Sequence, residues 1–74
     1  ARYKGNRHFL KMAPENVAIE LLGAEIADVA TRPTRPRLKR ALIAIKTAAP
    51  GSMYQIGDGI SLEFTARNYT VRVV

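Results

Sequence analysis

The chain has 74 residues, no cysteine and a formal net charge of +6, which makes a single small domain that neither a disulfide nor a four-thiolate zinc site can staple. A domain of this size buries only about 60% of the surface its unfolded chain exposes, so its stability is marginal, while an apolar fraction of 47% supplies one core and argues against wholesale disorder. No apolar run approaches the roughly 18–20 residues of a membrane-spanning helix, and no signal-peptide core follows the basic N-terminus, so the expectation is a cytoplasmic protein without membrane association.

Residues 1–12 carry +4 from Arg2, Lys4, Arg7 and Lys11. Gly5-Asn6 is a turn pair between two extended stretches, which predicts a short hairpin, or a strand preceded by a basic arm over residues 1–6 that can be flexible. Ala1 opens the chain without a methionine, which fits removal of an initiator as well as a fragment.

Residues 14–30 read as a helix carrying −4 from Glu15, Glu20, Glu25 and Asp28. Pro14 suits a first helical position and Glu15 the positive end of the dipole. Ile19, Leu22, Ile26 and Val29 recur at steps of three and four and form one stripe. Gly23 weakens the helix by about 1 kcal/mol relative to alanine, and the alternation of Val17, Ile19 and Leu21 leaves a strand over 17–22 as the rival.

Thr31 to Pro36 is a breaker with two prolines three apart, which makes a stiff extended connection. The clearest helix follows over 36–49: Leu38, Ala41, Leu42, Ile45 and Ala49 share one face, and Pro50-Gly51 ends it. Residues 53–74 read as strands. Met53 to Ile56 precedes a tight turn at Gly57-Asp58-Gly59. Ile60, Leu62, Phe64 and Ala66 then alternate with polar residues, as do Tyr69, Val71 and Val73, and Arg67-Asn68 lies between the two runs at hairpin spacing. The fold class expected is α+β, with two helices packed on a small antiparallel sheet made by the C-terminal hairpin and an N-terminal strand.

Two fragments resemble the carbon storage regulator family of RNA-binding proteins. Lys4-Gly5-Asn6 with Ala13 to Ala18 is similar to that family's turn and final strand, and Ile56-Gly57-Asp58 to an earlier turn. Their order here is reversed and the arginine after the last strand is absent. The resemblance therefore implies only the strand at Val17, and neither fold nor function is carried over.

Little in the chain is suited to catalysis. His8 is the only imidazole, Ser52 and Ser61 are the only serines, and neither sits in a nucleophile-elbow pattern. No ligand spacing for zinc or calcium occurs, and Gly57-Asp58-Gly59 lacks the spacing and lysine of a phosphate loop, so the expectation is a non-enzyme without cofactor or metal.

The sharper feature is residues 32–46, which carry +6. Arg32, Arg35, Arg37, Lys39 and Arg40 crowd the start of a helix, where the dipole already places about half a positive charge. Guanidiniums beside free backbone N–H groups form an anion site for nucleic-acid phosphates, with Arg2, Lys4 and Arg7 as an auxiliary arm. The competing reading pairs this cluster with the acidic helix before it, Glu20, Glu25 and Asp28 facing Arg37, Arg40 or Lys46; −4 against +6 still leaves a basic surface. The expected partner is accordingly nucleic acid, or else an acidic protein surface. In the second case the chain is an interaction subunit or inhibitor, such as a component of a viral or phage assembly, with the C-terminal strand joining a partner or a second copy through a sheet edge.

Overall fold

The alternation of the C-terminal third sets the sheet, and the helices are laid against its apolar face. The computed structural model describes residues 2–73, Arg2 through its backbone alone. Its elements are β1 (Arg2–Asn6), α1 (Arg7–Met12), α2 (Glu15–Ala27), α3 (Arg35–Thr47), β2 (Met53–Gly57), β3 (Ile60–Phe64) and β4 (Asn68–Val73). The strand order is β1-β4-β3-β2, with every pairing antiparallel. The helices pack on this four-stranded sheet, as the α+β expectation requires.

Register and burial agree. In β3 and β4, Ile60, Leu62, Phe64, Tyr69 and Val71 are buried, and Ser61, Glu63, Thr70 and Arg72 stand on the other face, as period-two alternation demands. The helical stripes meet the same core: Ile19, Leu22 and Ile26 from α2, and Leu38, Ala41, Leu42 and Ile45 from α3. Val29 and Ala49, counted with those stripes from the spacing, lie beyond the helix ends; Val29 is half-buried and Ala49 exposed.

Two local expectations are corrected, and one rival reading is excluded. Residues 7–12 form a helix rather than a strand: the Asn6 side chain accepts from the Phe9 backbone N–H at 3.2 Å, and Arg7 and Leu10, three apart, turn inward together. Residues 17–22 are helical, as the stripe of Ile19, Leu22 and Ile26 predicts, and the rival strand there is not formed. The β3–β4 turn occupies Thr65–Arg67 instead of Arg67-Asn68. Thr65 takes both roles there, its N–H donating to Asn68 O at 2.9 Å and its Oγ1 accepting from Asn68 N–H at 2.9 Å. The turn at Gly57-Asp58-Gly59 lies where the sequence puts it, with φ of 123°, 55° and 77°.

The N-terminal strand has a specific attachment. Gly5 is the register partner of Tyr69, and the ring lies so close that a Cβ on Gly5 would be 2.2 Å from Tyr69 Cζ. Both phenols, Tyr3 of β1 and Tyr69 of β4, donate to the Glu25 carboxylate of α2, Tyr3 at 2.9 Å. One carboxylate thereby ties two strands to a helix. Burial is the larger cause of a raised pKa at both phenols, and the adjacent Glu25 carboxylate adds to it.

Candidate functional site

The start of α3 opposes its own dipole: no acid stands in its first turn, and the Thr34 side chain makes no capping hydrogen bond. The opposing charges come from elsewhere in the fold. Glu20 of α2 receives Arg32 at 3.0 Å and Arg35 at 3.6 Å, Glu15 receives Lys39 at 3.6 Å, and Asp58 of the β2–β3 turn receives Arg37 at 2.9 Å. Helix-to-helix pairing therefore occurs, through Glu15 and Glu20 and not through Glu25, which the two tyrosines occupy.

Two glycines show how closely these arginines lie against the fold. A Cβ on Gly23 would come within 2.8 Å of Arg32 Cζ, so the guanidinium crosses α2 where the helix has no side chain. A Cβ on Gly57 would be 3.0 Å from Arg37 Nη1, because Arg37 passes over the turn to reach Asp58.

All four pairs are solvent-exposed, and exposed pairs contribute at most about 1 kcal/mol. They orient the cations without sequestering them. Arg40 and Lys46 make no ion pair among the described residues. Along α3, Arg35, Lys39, Ile43 and Lys46 recur at steps of four, four and three beside the buried stripe, with Lys46 half-buried, and the exposed Arg40 precedes Ile43 by three. The stripe thus extends from the helix start to its last turn, and Lys46 joins the residues picked out by sequence.

The proposed auxiliary arm divides. Residues 2–6 are strand β1 in this structure. Lys4 is exposed without an ion pair among the described residues, while the Arg2 side chain lies outside the described residues. Arg7 is corrected: it is a buried structural residue, 5% exposed, not a surface cation. Its Nε donates to Ile45 O at 2.8 Å, Nη1 to Thr65 O at 2.6 Å and Nη2 to Ala48 O at 2.7 Å. The guanidinium sits 5.1 Å from the Phe64 ring centroid. It satisfies carbonyls at the C-terminal end of α3, where the dipole favours a cation.

A second basic locus was not singled out from the sequence. Asn6, Arg7, His8 and Lys11, at the junction of β1 and α1, meet Ala66 and Arg67 of the β3–β4 turn around a half-open cavity of about 340 Å³. The helix at residues 7–12 creates it, since it returns Lys11 to the side of His8, and Arg7 N–H donates to Arg67 O at 2.9 Å across the junction. Reading Asn6 as a helix cap would have placed Arg7, His8 and Lys11 on one turn of helix.

Exposed apolar side chains also occur on the helices: Phe9 is 61%, Met12 71% and Ile43 55% exposed. The C-terminal strand offers no edge. β4 is paired on both sides, with β1 from Arg2↔Arg72 to Asn6↔Asn68 and with β3 from Ile60↔Val73 to Phe64↔Tyr69. Association through that strand is therefore corrected, because its backbone groups are already engaged; the sheet's edges are β1 and β2.

No family model matches the chain, and neither a curated protein nor a solved structure matches it. No described helix is long and apolar enough to cross a membrane.

Proposed function

We propose that this chain is a non-catalytic binding domain that engages the phosphate backbone of nucleic acid along the exposed side of α3. The observation that carries the reading is the basic stripe Arg35, Lys39, Arg40 and Lys46, in which Arg40 and Lys46 have no acid partner among the described residues. Arg32 and Arg37 flank it on exposed ion pairs that phosphates can exchange into at small cost. Lys4 lies on β1, apart from this helix, and is an auxiliary contact at most. Contacts of this kind position a protein on a backbone without reading sequence.

Fluorescence anisotropy with a labelled duplex tests the reading. Raising salt from about 50 to 200 mM weakens binding by orders of magnitude when several phosphates are neutralised. Replacing Arg35, Arg40 and Lys46 by glutamine lowers the slope of log K against log salt by roughly 0.9 for each contact removed. A salt-independent affinity, or an unchanged slope in the variant, contradicts it.

A second reading rests on Ile43, which interrupts the stripe with an exposed apolar side chain, and on Phe9 and Met12 of α1. An acidic protein surface with an apolar centre fits such a mixture, and the chain is then an interaction subunit. Nuclease treatment of complexes captured from a lysate separates the two: nucleic-acid contacts vanish, whereas a protein contact persists and depends on Ile43.

A further inference from the structure

We propose that the cavity between the β1–α1 junction and the β3–β4 turn is a binding site for a phosphomonoester group. Its lining is Asn6, Arg7, His8, Lys11, Ala66 and Arg67, which contains three formal cations and no carboxylate. No ion pair among the described residues involves Lys11 or Arg67, in contrast to Arg32, Arg35, Arg37, Lys39 and Arg72, all of which hold an acid. A fold with six carboxylates has left this concavity without one.

Arg7 gives the site a fixed wall. It is 5% exposed and held at three carbonyls from two segments, so its charge cannot swing away. Three of its five N–H donors are engaged, leaving two for another acceptor. The Asn6 oxygen is committed to the Phe9 N–H, so the amide nitrogen of Asn6 is its remaining polar group. The lining therefore offers donors from Arg7, Lys11, Arg67 and the Asn6 amide.

The chemistry selects the ligand. A carboxylate brings one charge and two oxygens, whereas a phosphomonoester brings close to two charges and three terminal oxygens, which better match three cations and an amide donor. A volume of about 340 Å³ exceeds a bare phosphate and leaves room for the group that carries it. No phenylalanine, tyrosine or tryptophan ring lines the cavity, and its three cations favour the phosphate as the group held. Such a group is found on a small sugar phosphate and on the 5′ end of a nucleic-acid strand. This inference stands independently of the α3 reading, because it uses none of the same side chains.

Two titrations on the full chain test it. Ribose 5-phosphate is followed by amide shifts of Asn6, His8 and Arg67 in nitrogen–proton correlation spectra. A short oligothymidylate is compared with and without its 5′ phosphate by anisotropy. The expected result is saturable shifts at those amides, or binding of the phosphorylated strand about tenfold tighter than the unphosphorylated one. Lys11→Gln with Arg67→Gln, both at exposed positions, should remove either effect while leaving the remaining spectrum in place. Shifts with ribose 5-phosphate alone assign a free phosphomonoester; a strand preference assigns a terminal phosphate. Absence of both effects overturns the proposal, as does their survival in the double variant. The α3 variant lowers the affinity of both strands together and leaves their ratio unchanged, so failure of either reading is recognised separately.

Discussion

Gly5 is required by its neighbour and not by backbone conformation. The Tyr69 ring occupies the place of a side chain there, so Gly5→Ala forces the ring or β1 to move and should cost about 1–3 kcal/mol, read as a lower denaturant midpoint. Combining it with Tyr69→Leu should cost less than the two changes added together, since the clash exists only when both are present. Arg7 is a second such position. Arg7→Met keeps the length and apolar stem but leaves the carbonyls of Ile45, Thr65 and Ala48 without their charged donor. A loss of about 3 kcal/mol or more is expected, a large part of the stability of a domain this small. The pair Tyr3 and Tyr69 makes a pH prediction. The folded protein holds both phenolic protons above the usual value near 10, because of burial first and the Glu25 carboxylate second. Below that pH both folded and unfolded chains are protonated and the contribution is complete. Above it the unfolded chain releases protons first, so stability falls as pH rises. Phenolate absorbance from these two residues should therefore appear together with loss of the circular-dichroism signal; its appearance near pH 10 in a folded chain would contradict the arrangement.

Elements divide into those the sequence announces and those that tertiary partners decide. The clearest prediction at this scale concerns α2 and α3. Glu20→Gln removes the one carboxylate that Arg32 and Arg35 share, so affinity for duplex DNA should rise a few-fold and its salt slope steepen by roughly 1–2. No change in either would detach these arginines from the interface. The sequence made α3 readable because Leu38, Ala41, Leu42 and Ile45 repeat at helical spacing between a proline-bearing start and Pro50-Gly51. It made β3 and β4 readable through strict alternation. The first twelve residues hid their change from strand to helix. One capping residue and two inward side chains mark α1, and one of those is an arginine, which an apolar pattern search passes over. The candidate site was legible to a similar degree. The cluster at Arg32 to Arg40 is visible as charge, but its assignment to Glu15, Glu20 and Asp58 depends on how helix and turn meet in space. The cavity at Asn6 and Arg67 joins residues from opposite ends of the chain, which no local pattern connects.

In the whole molecule, β4 is the member on which the rest depends. It lies between β1 and β3 and supplies Tyr69 and Val71 to the core, so removal of Tyr69 to Val74 should abolish the folded state, seen as loss of the near-ultraviolet signal. Amide exchange should be slowest in β3 and β4, the inner strands, and faster in β1 and β2. The exposed edges call for a different partner geometry from the one the C-terminal strand suggested: any strand addition must use β1 or β2. Pairing of Arg2 with Arg72 also sets an order of events during synthesis. Of the described elements β1 emerges from the ribosome first, yet the strand it needs is β4, the last of them to be made. At roughly 5–20 residues per second, Arg2 to Asn6 wait several seconds without their hydrogen-bonding partner. Lys4 keeps a charge on that waiting edge, which discourages pairing with a neighbouring nascent chain. The sheet therefore closes only once β4 is available to pair with β1.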